Sequence, residues 1–375
     1  MSAVIDTDIA IIGGGSAGIS LARHLSALST PPSTLVIEPK TPSERDCSWA
    51  LWSTAENAKP YASSIKGSWS QWQLVDNHGA IVHSATNYQY LSLSAADYLS
   101  HCEAQLASPV SLRRESVNSI QACGNGGKVT TDQGTFNAKY IYDSRPPKQG
   151  SNDLRQHFLG WEIICEQPIP RPDIATLMDF RVDQSQGLHF MYVLPFSARH
   201  LLVESTLVSS QLLDKNWYRN AISQWLSTQD IVVEQQLREE YGVISLEPKS
   251  SQQGRIGAAG GAVRRSSGYG FTAIQQQSRQ LAQGIERGQY SVPRPFAKFL
   301  NPMDAIFNGV LTRHPELAVD LFMGTARALN ADQFARFMLG EAGAAIWAKV
   351  IAAMPKIPFL KQLLLASSPV RGSDD

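Results

Sequence analysis

The apolar positions along this chain change spacing from one stretch to the next, and the changes outline its elements. Asp6-Thr-Asp-Ile-Ala-Ile-Ile is an apolar run of strand length that ends at Gly13. Ile19 to Leu28 has the spacing of an amphipathic helix, and Leu35-Val-Ile37 reads as a second strand closed by Glu38. A helical pattern appears from Tyr98 to Leu106. Gly127–Thr131 and Gly134–Phe136 read as a hairpin, and Tyr140 to Arg145 as a strand ending in an acid and a base. Further on, Trp161–Cys165, Leu188–Leu194 and Leu201–Leu207 read as strands, with turns at Gln186-Gly187 and Ser197 to His200 and a helix at about 214–227. That is a mixed, largely antiparallel unit. A helix through Gln275–Gln283 follows two glycine-rich segments, Gly257 to Gly261 and Ser267 to Phe271. The last 75 residues read as helices.

The first of these stretches carries chemistry. Glycines at 13, 15 and 18 join a strand to a helix, and Glu38 stands twenty residues beyond Gly18. Gly13 permits a tight turn, Gly15 lets the backbone approach a pyrophosphate, and Gly18 lets helix and strand pack closely. The helix N-terminus offers free N–H groups to phosphates, and an acid at this distance accepts hydrogen bonds from ribose hydroxyls. The expectation is a dinucleotide site. The strand ending at Asp143 and the glycines at 257, 260 and 261 bring two later segments to it. Arg23, on the first helix, either helps to neutralise phosphates or is simply exposed.

Composition narrows the partners. Charge is balanced, 33 basic against 33 acidic residues in 375, so no basic excess points to nucleic acid. The N-terminal residues are polar and no secretory signal is expected. No apolar stretch reaches the length of a membrane span. Cys47, Cys102, Cys123 and Cys165 are far apart and lack metal-ligand spacing, so no metal site is expected and the reducing cytoplasm is the expected compartment. None of the eight histidines has a partner that spacing identifies. Trp49, Trp52, Trp69 and Trp72 mark either a packed sheet face or the wall of an apolar pocket. Ala344 to Leu365 is apolar with Lys349, Lys356 and Lys361 interspersed, which suits either a helix lying on a membrane surface or a terminal core helix.

In order along most of its length, the sequence resembles the lycopene cyclase family of flavoproteins, most closely the bacterial β-cyclases. The glycine motif and Glu38 come first, followed by Ser48-Trp49, Asp143-Ser-Arg145, Gly160-Trp161 and Met178-Asp179-Phe180-Arg181. Tyr192 to Pro195, Leu202-Val203-Glu204-Ser205-Thr206, the late glycines and Phe334-Ala-Arg336-Phe337 complete the series. The Met-Asp-Phe-Arg and Glu-Ser-Thr blocks are the specific ones. The chain departs from the family at Pro146-Pro147, at Gly242-Val-Ile-Ser245-Leu246 and at Arg265-Ser266-Ser267.

The resemblance implies an α/β fold: a Rossmann-like, glutathione-reductase-like FAD-binding domain, an inserted mostly antiparallel β-sheet substrate domain, and a C-terminal helical region. The expected boundaries are 1–48, 75–150 and 250–290 for the first, 49–74 and 151–249 for the second, and 291–375 for the third. The implied cofactor is FAD in reduced form, with NAD(P)H as electron source, held by Gly13, Gly15, Gly18, Glu38, Asp143, Gly257, Gly260 and Gly261. The implied reaction is a non-redox cyclisation of linear carotene ends, lycopene or a relative, to β-ionone rings. Glu204 is the implied acid–base residue, and Asp179 with Arg181 the supporting network. From spacing alone, Glu204 reads first as a half-buried strand carboxylate paired with Arg199 or Arg181, and Asp179–Arg181 equally as a structural ion pair. A lipid-dissolved substrate implies a cytoplasmic protein peripheral on the inner face of the cell membrane. Two other readings share the fold: a flavin monooxygenase or halogenase, and a non-enzymatic prenyl-binding escort protein.

Overall fold

The computed structural model describes residues 6–146, 150–247 and 253–367. Pro147 lies outside them. β1 (Thr7–Ile12) is the centre of the first sheet, and Ile9 to Ile12 are at most 1% exposed, so the strand is covered on both faces. It pairs in parallel with β2 (Thr34–Ile37) and β11 (Thr135–Asp143), and β2 pairs in parallel with β8 (Val110–Arg113). β10 (Gly126–Thr131) and β9 (Val117–Cys123) continue from β11 as an antiparallel ribbon. On one face α1 (Ser16–Ser26) and α5 (Phe271–Glu286) bury Leu21, Leu25, Leu281 and Ile285 against Ile9 and Ile11. On the other, Val129 and Phe136 of the ribbon cover Ala10 and Ile12. This is the nucleotide-binding architecture that the first strand predicts.

A three-stranded sheet, β3 (Ser48–Thr54), β7 (Tyr88–Ser94) and β4 (Ile65–Trp69), joins this unit to a larger one. Two short helices flank it, α2 (Ala55–Ala58) and α3 (Ala95–Ala104), and Tyr98 of α3 hydrogen bonds Ser20 of α1 at 2.7 Å. The larger sheet has seven strands, in the order β16 (Val233–Ser245), β12 (Arg155–Cys165), β15 (His200–Ser209), β14 (Leu188–Pro195), β13 (Ile174–Asp179), β5 (Gln71–Asp76) and β6 (Gly79–Ser84). Every neighbouring pair is antiparallel except β13–β5. The boundary expected after residue 74 therefore falls inside β5. Ladder hydrogen bonds of β5 to β13, and of β6 to β5, place residues 75–84 in this sheet rather than in the nucleotide unit, and the pairing with a strand a hundred residues away decides that.

Alternation along β15 sends Leu201, Val203 and Leu207 to one face and Leu202, Glu204 and Thr206 to the other. The first face is covered by α4 (Lys215–Thr228) through Tyr218, Ile222, Trp225 and Leu226. The second meets the C-terminal helices: α6 (Leu300–Arg313), α7 (Ala318–Ala328), α8 (Ala331–Leu339), α9 (Ala344–Ala353) and α10 (Lys356–Ser367). α8 begins in a reciprocal capping box between Asn330 and Gln333 and ends at Gly340, whose φ of +79° suits glycine. Pro355 separates α9 from α10, because proline bars the residue before it from helical geometry and Met354 is extended. The tail splits accordingly. Ile346 and Val350 of α9 are core, whereas Ile357, Leu360 and Leu364 of α10 are 58–70% exposed.

Trp52, Trp69 and Trp72 belong to the core against these helices, at most 4% exposed, and Trp49 lines a cavity. Both expectations for the tryptophans hold, at different positions. All four cysteines are unpaired.

Candidate active site

The chain leaves β1 through Gly13, at φ +88°, and turns into α1. A Cβ on Gly18 would lie 1.9 Å from the Gly13 carbonyl oxygen, so only glycine allows the helix this close. Nothing lies within 4 Å of a Cβ position on Gly15. That open space before the N-terminus of α1 is a place where phosphates fit. Glu38, buried at the end of β2, accepts hydrogen bonds from the Gly14 N–H at 2.9 Å and the Lys40 N–H at 3.0 Å. Arg45 stands 3.7 Å from the same carboxylate and donates to the Gly14 carbonyl. Arg23 lies in the last turn of α1, at the end away from this cradle.

The late segment docks onto the cradle. Asp143 ion-pairs with Arg145 at 2.8 Å and Arg255 at 2.7 Å, while its backbone bridges to Gly254 and Ile256. Its carboxylate acts as a strut that seats residues 254–261. Gly257 has φ +64°, and a Cβ there would meet the Ala17 Cβ at 2.6 Å. Its N–H donates to Gln277 at 2.8 Å. Gly260 passes so close to the Arg255 carbonyl that a Cβ would sit 2.5 Å from it, and Gly261 has φ +78°. Gly257 is thus demanded by the approach of the turn to α1, Gly260 by the tightness of the turn itself, and Gly261 by its backbone conformation.

A cavity of about 410 Å³ runs from this cradle into the seven-stranded sheet. Ser16, Pro146 and Ala258 line its cradle end, and Leu177, Met178, Phe190 and Tyr192 its sheet end. Glu204 faces it from β15 and Glu240 from β16, each 7% exposed. Between them runs β12, where Gly160 is directly opposite both. A Cβ on Gly160 would lie 2.6 Å from the Glu204 Cγ and 3.4 Å from the Glu240 Cγ. The missing side chain is the slot in which two carboxyl groups from alternate strands meet.

Burial, then the charge of Glu240 and a hydrogen bond with it, hold the Glu204 carboxyl well above the usual range, against the opposing pull of Arg238. This environment favours the protonated, neutral form of Glu204. The Glu240 Oε2 accepts from the Ser48 N–H at 2.9 Å and from Arg238 at 2.8 Å. Its Oε1 is buried and accepts from no other donor among the described residues. Arg238 also reaches Glu162 at 2.8 Å, and Glu162 in turn binds Lys66 at 2.7 Å and His200 at 2.8 Å. For Glu162 burial acts upward, yet hydrogen bonds and charge from Lys66 and Arg238 prevail and lower it to about 2.

Beside the pair, the Tyr90 hydroxyl lies between those of Tyr192 at 2.8 Å and Tyr269 at 2.7 Å. Burial raises all three phenols, so they stay neutral. Trp52 packs on Tyr90 and Tyr269, each with ring centres 4.7 Å apart. Aromatic faces of this kind favour a nearby cation.

Glu204 is paired with neither of the arginines that spacing offered: Arg199 binds Glu234 and Arg181 binds Asp179. Asp179 itself faces α4. It takes Arg181 through both oxygens at 2.7 and 2.9 Å and accepts from the Trp225 indole at 3.0 Å. A bulge between Thr176 and Asp179 reverses the alternation of β13, so Leu177 and Met178 line the cavity while Asp179 and Arg181 stay outside it. Glu240 is the residue that reading the sequence missed. Its only local signal is its position two residues before Gly242, on the same strand face.

The family described as “Lycopene cyclase protein” matches residues 8–337. A lycopene beta-cyclase of Paracoccus sp. (strain N81106 / MBIC 01143) is 43% identical over 56 residues, a segment that spans only 14% of this chain and 14% of that relative. Among solved structures, a geranylgeranyl bacteriochlorophyll reductase-like protein of Thermoplasma acidophilum has a TM-score of 0.64 at 15% identity, covering 96% of this chain and 98% of its own. The flavin-dependent brominase Bmp2 has a TM-score of 0.60 at 13% identity, with 96% and 98% covered. At such identities these likenesses establish a shared flavoprotein fold.

Proposed function

The chain belongs to the lycopene cyclase family, and we propose that it is an FAD-dependent enzyme that closes the ends of a linear carotene to β-ionone rings without net oxidation. The observation that carries this reading is a buried pair of carboxyl groups, Glu204 and Glu240, meeting over Gly160 at the end of an apolar cavity that begins at a dinucleotide cradle. Gly13 to Gly18, Glu38 and the 257–261 turn are the residues that would hold FAD. Reduced FAD, kept so by NAD(P)H, would supply a diffuse negative charge facing the cavity.

The chain's own groups account for the proton work. Glu204 gives its proton to the terminal double bond of the polyene, leaving a tertiary carbocation. The next double bond closes the six-membered ring, and a ring C–H returns a proton to the pair. One proton enters and one leaves, and no electrons are exchanged. After the first transfer both Glu204 and Glu240 carry charge in a buried slot, and their mutual repulsion favours taking a proton back. Leu177, Met178 and Phe190 exclude water that would otherwise capture the cation. The faces of Tyr90, Tyr192 and Tyr269 stabilise it.

The substrate is dissolved in lipid, and among the described residues no helix is long and apolar enough to cross a membrane. α10, with its exposed apolar residues, Lys356 and Lys361, is the segment suited to lie on an anionic membrane surface. This reading puts the enzyme at the inner face of the cell membrane.

The test is expression in a bacterial host that accumulates lycopene, with chromatography of the pigments, followed by anaerobic assay with reduced flavin and liposomal lycopene. Glu204→Gln should keep fold and FAD and lose at least about 10²-fold in turnover. Near-wild-type turnover in that variant would remove Glu204 as the acid. Stoichiometric consumption of reduced nicotinamide with product would point to a redox flavoenzyme, and a colourless protein without cyclised pigment to an escort protein.

A further inference from the structure

We propose that a second apolar chamber, enclosed by α6 to α10, receives the non-reacting arm of the polyene and lets it run out to the lipid; this rests on the cyclase reading above. The chamber measures about 280 Å³ and is walled by residues such as Ile306, Phe307, Phe322 and Val350. Met178 and Ser267 line both this chamber and the cavity of Glu204, so the two spaces adjoin. At its outer rim stand Ile351, Leu360 and Leu363, which are 46–58% exposed. The same α10 presents Ile357 and Leu364 to the outside.

The walls suit a hydrocarbon. Three charged residues line the chamber among the described residues, and each is satisfied within the protein. Arg264 and Asp304 bind each other through two bonds of 2.9 Å, with a third from Arg264 to the Phe337 carbonyl at 2.8 Å. Lys356 is turned onto the last carbonyls of α9, including Ala352 at 3.0 Å and Met354 at 2.9 Å. The two buried charges, Arg264 and Asp304, are paired with each other, so an apolar chain filling the chamber strips no water from them.

Stiffness of the substrate makes such a space necessary. Conjugation keeps a polyene straight, so it cannot coil inside the cavity of Glu204. One end of that cavity is the cradle of the cofactor. With the reacting end against Glu204, the remainder must leave past Met178 and Ser267. The chamber lies there and opens where α10 exposes its leucines, so the polyene need not leave the bilayer completely.

The experiment compares liposomal lycopene with its half-length acyclic aldehyde, acycloretinal, which carries the same reactive end. The wild type should cyclise both. Ile306→Trp fills the chamber away from Glu204 and should lower kcat/KM for lycopene relative to the short substrate by about tenfold or more, the rate equivalent of a modest overpacking cost. Equal activity on both substrates in this variant overturns the proposal. If it loses both, Ile351→Trp and Leu363→Trp at the exposed rim decide by the same ratio, and an unchanged ratio there also overturns it. A wild type that cyclises neither substrate refutes the cyclase reading instead.

Discussion

Gly160→Ala is a single methyl group aimed at the carboxyl pair. Its Cβ would lie 2.6 Å from the Glu204 Cγ, whereas carbon atoms in contact settle at about 3.5–4.0 Å. Glu204 must therefore retreat by roughly 1 Å, while Glu240, at 3.4 Å, barely moves. A displacement of about 1 Å at a reacting group costs on the order of 10²-fold in rate. Overpacking of this kind costs about 1–3 kcal/mol of stability, which a chain with so large a core tolerates. Flavin content should not change, because Gly160 does not line the cavity. The pH dependence should move as well. Only protonated Glu204 starts the reaction, so activity falls as pH rises through its pKa. Parting it from Glu240 removes a charge and a hydrogen bond that raise that pKa, and the alkaline limb moves to lower pH. The assay is anaerobic turnover of liposomal lycopene by the purified, flavin-loaded variant across pH. Wild-type turnover with an unmoved alkaline limb would refute the idea that the glycine slot brings the carboxyls together.

Gly15→Val should abolish flavin binding, since its side chain enters the open space before α1; flavin absorbance at wild-type stoichiometry would contradict that placement. Glu162→Gln should destabilise the protein at neutral pH. Because the folded-state pKa of Glu162 is lowered to about 2, its stabilising contribution is present above the ordinary carboxylate range and lost as pH falls through about 2. Melting temperatures of wild type and variant should therefore converge in strong acid, and a gap independent of pH would argue against it. Ile357→Gln with Leu364→Gln, both outside the chamber lining, should weaken flotation with anionic liposomes by about tenfold or more for each residue, on the transfer energy of an aliphatic side chain. Unchanged flotation would exclude α10 as the membrane contact.

Local backbone demands were readable from the chain itself. The turn at Gly13 and the close approach at Gly18 depend on residues a few positions apart, so their types disclose them. Other features depend on partners far along the chain. Glu240 becomes a neighbour of Glu204 only because β12 runs between their strands and has no side chain at residue 160. The bulge in β13 turns Asp179 toward α4, although simple alternation is blind to it. The assignment of residues 75–84 waited on pairing with β13. The nucleotide cradle and the succession of elements were legible in the chain, because both rest on neighbouring residues. The tertiary structure alone decided which carboxyl meets Glu204, which tryptophans are core, and where an apolar chamber adjoins the site. Backbone geometry is a property of consecutive residues, but a buried carboxyl pair and an apolar cavity are properties of side chains that only folding brings together.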